Sequence, residues 1–391
     1  MIADKLAETL SARFVYEKSR VLDPFCGTAR TLMAAAERGA YVVGVDSNPI
    51  AVMISRAKLA GIKIDRLVEF VRDIRVYSND PVLHLQPGRR AVWFSDRVTR
   101  ELSSLILRIN EAYSLRHLTT REMFLIGAVL SATVREVSFC RKDQWKIHRI
   151  KIADRRRVRR NAVEVFIRRL KSALVELRCV DGALPRGRVI RGDARHLTKI
   201  LTEAGEAKQF DCAITSPPYG DSFTTVQYGG MSSLALGVLQ HVSGLRLPYE
   251  TGASLDRQCL GGTPRNKVDE LVHVQAYWAG GAVNRLRWKV ASFLSDMAMA
   301  CKHLSQTVRP GGHIILVVAR RKVGGFRVRL DSFVIDHLKT HHCRLIDATE
   351  RSIARKVTPR AVDAYGHSVD GSARRVVTMR VEHVLVFQRC K

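Results

Sequence analysis

Thr215-Ser216-Pro217-Pro218-Tyr219-Gly220 is the most informative peptide of the chain, and it directly follows an apolar run, Phe210–Thr215, that reads as a strand. Two consecutive prolines fix φ and remove two amide donors, so the loop is rigid and its carbonyls are left as acceptors. An exocyclic amine on a heteroaromatic ring needs such acceptors. Its lone pair is delocalised into the ring, so its N–H groups must be held while the nitrogen is drawn towards tetrahedral geometry. The Ser216 side-chain oxygen and the Pro217 carbonyl can hold them, and Tyr219 can stack on a base taken out of a helix. An ordinary Pro-Pro turn after a strand is the competing explanation, and the tetrapeptide alone does not decide between them.

Other residues shift the balance. Asp23-Pro24-Phe25-Cys26-Gly27 follows a short apolar strand, and Gly27 allows a backbone to approach the methionine end of a nucleoside-type ligand. Asp46 ends the next strand and is placed to accept from ribose hydroxyls. Asp193 ends a third strand, where it could accept from an adenine amino group. Each acid could separately be a helix cap or a turn residue. Acids at successive strand ends, with the Pro-Pro loop at a fourth, are hard to reach by chance.

The elements that must position these residues are legible in outline. Val21-Leu22, a glycine turn, a helix over about Thr31 to Arg38, and the strand Tyr41–Val45 ending on Asp46 make a βαβ unit. Ser47-Asn48-Pro49 starts another helix, with Pro49 suited to its first turn. From about residue 62 the character changes: 97–140 and 155–178 read as helical, with Val158, Ala162, Phe166, Leu170, Ala173 and Leu177 at helical spacing. The α/β pattern returns at Arg188–Asp193 and at Phe210–Thr215. After a glycine-containing stretch (about 220–265) a helix spans roughly Asn284 to Leu304, Arg309-Pro310-Gly311-Gly312 reads as a turn, and His313–Ala319 as a buried strand. Thr378 to Gln388 alternates as a final strand. The expected organisation is an α/β catalytic core from 1–60 and 186–391, interrupted by a mainly helical basic insertion at 61–185.

Charge points to a polyanionic partner. The chain carries 65 Lys and Arg against 37 Asp and Glu, a formal charge of +28 over 391 residues. Between Arg135 and Arg195 there are 19 basic against 7 acidic residues, including Arg155-Arg156-Arg157 and Arg159-Arg160. A solvated helix face explains isolated charges; runs of this kind favour contact with DNA phosphates. Eight scattered cysteines, with no C-x-x-C pair and no Cys/His ligand spacing, give neither a disulfide frame nor a metal site. No apolar run reaches membrane-spanning length, and the start, MIADKLAETLSARF, reads as an amphipathic helix and not as a signal peptide. A cytoplasmic protein is the expectation.

With these residues in view, the chain resembles the DNA methyltransferases that modify cytosine N4 or adenine N6. DPFCGT (23–28) is similar to their cofactor motif, VDSNPIA (45–51) to the acidic segment that follows, and SPPY (216–219) to their catalytic motif. The likeness continues through GDSFTTVQYG (220–229), RPGGHIILVVARR (309–321), RSIARKVTPR (351–360) and TMRVEHVLVF (378–387). ATVREVSFCRKDQWKIHRI (132–150) is similar to a segment of cytosine-N4 members. What the resemblance implies is a class I S-adenosylmethionine-dependent, Rossmann-like fold, S-adenosylmethionine as cofactor, and double-stranded DNA with a flipped base as substrate. It also implies a bacterial or archaeal restriction-modification setting with a cognate restriction endonuclease. The cofactor-binding residues would be Asp23, Pro24, Phe25, Cys26, Gly27, Asp46, Ser47 and Asp193, and the catalytic ones Ser216, Pro217, Pro218 and Tyr219. Serine at the head of SPPY leans towards cytosine N4, since adenine enzymes of this kind more often carry Asp or Asn. The insertion, lying between the two motifs, becomes the expected DNA-recognition region.

The chain departs from the family pattern at Gly27-Thr28-Ala29-Arg30, where the usual continuation is glycine-rich. Ala29 adds a methyl group and Arg30 bulk and charge close to the expected ligand. Only about 20 residues precede Asp23, so a cofactor-contacting segment upstream is expected to be shortened. Cytosine C5 methylation requires a cysteine nucleophile, typically in a Pro-Cys pair that this chain lacks. The alternatives are adenine N6 methylation, an RNA guanine-N2 enzyme, and a non-catalytic nucleic-acid-binding homologue.

Overall fold

The computed structural model describes residues 2–74, 80–85, 93–141, 147–158, 160–178, 186–220, 228–263, 277–279, 285–323, 326–353, 361–362, 376–377 and 381–391. Helix α1 (Asp4–Phe14) leads into β1 (Arg20–Asp23), α2 (Arg30–Ala36), β2 (Tyr41–Asp46) and α3 (Pro49–Leu59). The expected βαβ unit is therefore present. Pro49 stands in the first turn of α3, and the Asn48 side chain accepts from the Ile50 amide at 3.0 Å to cap it.

Four helices follow: α4 (Ile64–Asp73), α5 (Asp96–Ser114), α6 (Thr120–Val137) and α7 (Ala162–Arg178). A capping box starts α6, with Glu122 accepting from the Thr119 amide at 2.9 Å. Ala162, Phe166, Leu170 and Leu174 form the buried stripe of α7. Val158 lies outside that helix, because Ile152–Arg157 is a 3-10 turn carrying the arginine run. These helices share one apolar cluster with Met53 of α3 and with Leu234, Ala235, Val238 and Leu239 of α9 (Tyr228–Leu239). The helical layer is thus packed against α3 on its amino-terminal side and against α9 from the later part of the chain.

Strand β3 (Arg186–Arg191), helix α8 (Leu197–Glu203) and β4 (Phe210–Thr215) resume the sheet. Besides α9, the glycine-containing stretch holds α10 (Gly252–Gln258), a short helix opening on Gly252 that the sequence did not reveal. The remaining elements are β5 (Trp278–Ala279), α11 (Arg285–Thr307), β6 (Val308–Val318), β7 (Arg321–Val323), β8 (Phe326–Val328), α12 (Leu330–Thr340), β9 (Cys343–Ser352), β10 (Ala361–Val362), β11 (Val376–Val377) and β12 (Val381–Arg389). The turn expected at Arg309–Gly312 is instead the first part of β6, where its register against β4 shifts between Phe210 and Cys212. One irregularity satisfies both the strand and the Pro-Gly-Gly sequence.

The main sheet has the order β3-β2-β1-β4-β6-β12-β9, parallel except that β12 runs antiparallel to both β6 and β9. Successive residues feed opposite layers. Val21 and Val42 face the cluster of α1 and α2, whereas Leu22 and Val43 face that of α11 and α12. The chain steps outward from β1 through β2 to β3 and then returns to place β4 on the other side of β1. In such a sheet, ligands bind beyond the carboxyl ends of the strands where the order reverses.

The amino ends are latched shut. Buried Glu206 accepts from Arg20 and from the Tyr41 hydroxyl, each at 2.7 Å. Asp211 receives the Tyr16 hydroxyl at 2.7 Å, the Arg20 amide at 2.8 Å and Arg309 Nε at 2.7 Å. Removing a buried carboxylate strands its guanidinium partner, so Glu206→Ala should cost about 3 kcal/mol. Urea unfolding checks this, and an unchanged midpoint would show that the latch contributes nothing.

Candidate active site

The carboxyl ends of β1, β2 and β4 are tied together by hydrogen bonds, Thr215 of β4 to Asp23 of β1 and the Gly27 amide after β1 to Asp46 of β2. Asp23, last in β1, is buried and receives the Thr215 hydroxyl at 2.5 Å and the Phe25 amide at 3.1 Å. Burial pushes its carboxyl up to about 6, the nearby Asp46 charge adds to this, and hydrogen bonds from Thr215, Phe25 and Thr31 oppose it. Asp46, last in β2, accepts from the Gly27 amide at 2.9 Å and the Asn48 amide at 2.8 Å. Burial raises its pKa as well, against those two amides. A carboxylate has about four lone-pair sites, so Asp46 keeps acceptor capacity for a ligand hydroxyl.

Gly27 is the cradle. Its φ is +51°, which a side chain would strain, and a Cβ placed on it would meet nothing within 4 Å. The turn is held from behind by Ser55, whose hydroxyl donates to Gly27 O at 2.8 Å, and by Lys58, which reaches Thr28 O at 2.7 Å. Ala29 is buried with φ +64°, a left-handed conformation that glycine would adopt without strain. Its methyl group is therefore accommodated at a backbone cost. Arg30 does not point its charge at the strand-tip acids: its guanidinium turns to the amino-terminal segment, with Nε 3.3 Å from Asp4 and Nη1 donating to Ile2 O at 3.5 Å.

The Pro-Pro loop begins at the tip of β4. Thr215 ties it to Asp23, Pro217 is buried, Pro218 is exposed, and Ser216 and Tyr219 are half-buried. The Tyr219 hydroxyl lies 3.1 Å from Ser216 Oγ and donates to Glu382 Oε1 at 3.0 Å. The Tyr219 ring packs against the same apolar cluster as Phe25 of the glycine turn. Ser47, at the start of the segment after Asp46, is half-buried, and its carbonyl receives Arg191 Nε at 3.4 Å.

Asp193 does not end a strand as expected: β3 stops at Arg191, and Asp193 caps the 3-10 turn Ala194–His196, accepting from the Arg195 amide at 2.9 Å. Arg195 Nε reaches both of its carboxylate oxygens, at 3.0 and 2.8 Å, while Arg195 Nη1 donates to buried Asp296 at 2.9 Å. A ligand amine at Asp193 would share the carboxylate with that guanidinium. The Cys26 thiol is buried beside Gly44, and its pKa is driven up by burial and by the Asp46 and Asp23 charges, which leaves it a protonated packing group.

Sequence reasoning did not single out three residues near the strand-tip acids and the Pro-Pro loop. Tyr228, half exposed at the start of α9, is raised in pKa by burial and by the Asp46 charge. The Cys259 thiol is pushed up to about 12 by burial and by Asp256, Asp46 and Asp193, which places it in the field of the same acids. Glu382 lies beneath the Pro-Pro loop. Tyr228 and Glu382 both fall in segments that carry the family likeness, which was the available signal; Cys259 had none. Residues 221–227, the rest of the segment after the loop, lie outside the described residues. Among the described residues no His/Cys/Asp/Glu group could hold a metal ion, and no helix is long and apolar enough to cross a membrane.

No family model matches the chain. The chain is 26% identical over 374 residues to the type II methyltransferase M.MvaI of Kocuria varians, a match covering 88% of this chain and 79% of that protein. Solved structures overlay loosely. An S-adenosylmethionine-dependent methyltransferase of Methanosarcina mazei gives a TM-score of 0.35 at 7% identity, with 97% of each chain covered. TrmN of Thermus thermophilus gives 0.30 at 11% identity, covering 99% of this chain and only 48% of that one. The rRNA methyltransferase aviRa of Streptomyces viridochromogenes gives 0.31 at 12% identity, over 99% and 85%. Scores this low add nothing to what the strand order shows. That order, with the glycine turn and strand-tip acids, is the class I S-adenosylmethionine-dependent methyltransferase fold. With the likeness to a type II enzyme, the chain is read as a methyltransferase.

The donor set fits that cofactor. Asp23 is a buried carboxylate whose named partners are hydroxyl and amide groups, so a cationic ligand would favour its ionised form. A carboxyl held up near 6 is half neutral there and fully ionised well above it. S-adenosylmethionine should therefore bind more weakly as pH falls through about 6, by about tenfold per unit below that point. Calorimetry from pH 5 to 8 measures it, and a flat profile would remove Asp23 from the cofactor site.

Proposed function

We propose that the chain is a site-specific DNA methyltransferase that transfers a methyl group from S-adenosylmethionine to the N4 amino group of cytosine. The observation that carries this reading is the Thr215–Asp23 hydrogen bond, which holds the Ser216–Tyr219 loop against the turn expected to bind the cofactor. The likeness to a type II methyltransferase supports DNA as substrate and makes a cognate restriction endonuclease the expected partner. S-adenosylmethionine would supply an activated methyl group on sulfur; Asp23, Gly27 and Asp46 would hold it, with Pro24, Phe25, Cys26 and Ser47 shaping the turn and Asp193 the far side.

The protein's own part is positioning. Ser216 Oγ and the Pro217 carbonyl hold the two amino hydrogens, which aligns the nitrogen for direct attack, and the exposed edge of Tyr219 covers the flipped base. Pro218 stiffens the loop. Placing two reactants this way accounts for most of the acceleration, with no covalent enzyme intermediate.

The helical layer is the proposed DNA-recognition region. Glu136 is shared by Arg160, Arg168 and Arg169 at 3.6, 2.7 and 2.5 Å, so one carboxylate answers three guanidinium groups. Exposed Arg156 and Arg157 extend that surface. Ile147, a few residues upstream, packs against Gly230 in the first turn of α9, which brings this basic segment to the element that follows the Pro-Pro loop. Phosphate contacts of this kind weaken steeply with salt.

Expression in a methylation-free host, followed by nucleoside mass spectrometry and genome mapping, tests the reading. N4-methylcytosine at one recurring sequence is the expected outcome, reduced by about a hundredfold or more in Ser216→Ala. N6-methyladenine at such a site would keep the chemistry and change the base. Methyl groups found only in RNA would overturn the DNA assignment.

A further inference from the structure

The Pro-Pro loop contains a choice that its own residues do not make. A serine hydroxyl can donate or accept, and only an accepting Ser216 suits an amino group. We infer that Glu382 fixes this choice: acting through Tyr219, it turns the Ser216 hydroxyl so that its lone pairs face the substrate. The inference rests on the proposed function and extends it to a positioning residue on a strand far from both motifs.

The argument is an accounting of protons. Glu382 is the second residue of β12, is 7% exposed, and has Oε2 3.5 Å from Arg351 Nε. A carboxylate has no proton to give, so across the 3.0 Å contact the Tyr219 hydroxyl is the donor. Tyr219 keeps that proton, because burial and the Glu382 charge raise its pKa. With its one hydrogen spent, Tyr219 offers only lone pairs across the 3.1 Å contact to Ser216, whose hydroxyl must donate. Ser216 then has lone pairs and no hydrogen left for a ligand.

This polarity sorts bases by functional group. An amino group on cytosine or adenine finds an acceptor at Ser216 Oγ. The carbonyl oxygen that replaces it in uracil or hypoxanthine finds no donor there, and two acceptors are forced together. A site built for an N–H rejects an oxygen more strongly than a methyl-sized misfit would. Glu382 thus makes the loop selective for an amine before any cofactor is involved.

Two measurements on the full-length protein test the relay. In single-turnover methylation of its mapped DNA site, Tyr219→Phe and Glu382→Ala should each slow transfer about tenfold to a hundredfold. Their S-adenosylmethionine affinity should stay within about twofold. The double variant should be no slower than the worse single one, since both break one chain. Glu382→Gln, which keeps an acceptor oxygen, should recover part of the loss. Additive losses, or a Tyr219→Phe enzyme at full rate, would overturn the inference. The second measurement does not need activity. With 3,5-difluorotyrosine at position 219, which brings the phenol into a titratable range, Ser216→Ala should raise its pKa and Glu382→Gln should lower it. An unmoved or lowered value in Ser216→Ala would mean that Ser216 does not donate, and the inference fails. A wild-type protein that methylates no DNA yet shows both shifts would overturn the proposed function and leave the hydroxyl polarity standing.

Discussion

A single buried hydrogen bond joins the two halves of the chemistry. Thr215 and Asp23 are 192 positions apart, yet the hydroxyl of one donates to the carboxylate of the other at 2.5 Å where β1 meets β4. Both groups are almost fully shielded from water, and an unpaired polar group there would cost on the order of 1–3 kcal/mol. The bond therefore fixes the spacing between the glycine turn and the Pro-Pro loop. It also holds Asp23 in a setting where ionisation is costly but not suppressed, which is the condition a cationic ligand can exploit.

The sheet divides its charges by end. At the amino ends, Glu206 and Asp211 pair with Arg20, Tyr41, Tyr16 and Arg309, so they are committed to holding strands together. At the carboxyl ends, Asp23 and Asp46 are paired with hydroxyl and amide donors and retain acceptor capacity. The same residue type is paired with cations below and left with spare lone pairs above because the partners differ. The helical layer repeats the contrast with the opposite sign: Glu136 neutralises only part of the guanidinium charge around it, and the remainder faces outward.

Much of this was legible in the residues. The β1–α2–β2 unit, Asp23 and Asp46 at their strand ends and the strand before Ser216 all showed, because apolar runs ending in polar residues leave a clear pattern, whereas Asp193 proved to be the cap of a 3-10 turn beyond β3. Helices α9 and α10 did not show, since Gly229, Gly230, Gly237 and Gly252 lower helix propensity, and tight packing between the two helices outweighs it. The opening of β6 was read as a turn because Pro310-Gly311-Gly312 carries a turn signal that a register shift absorbs. Alternation in β12 was misleading: Glu382 to Phe387 are buried on both faces of a central strand. Arg30 read as a charge at the ligand, but its long side chain reaches α1 instead. The roles of Asp296 and Glu382 depend on contacts between distant segments, which no local pattern announces. Residues 354–360, 363–375 and 378–380, part of the family likeness, lie outside the described residues.

The central claim is geometric, so the most direct measurement is a crystal structure of the protein with S-adenosylmethionine bound. The account predicts the ribose hydroxyls on Asp46, the methionine portion across Gly27 towards Asp23, and the methyl carbon directed at the space beside Ser216 Oγ. A cofactor seated elsewhere on the molecule, or one whose methyl group points away from the Ser216–Tyr219 loop, would contradict it.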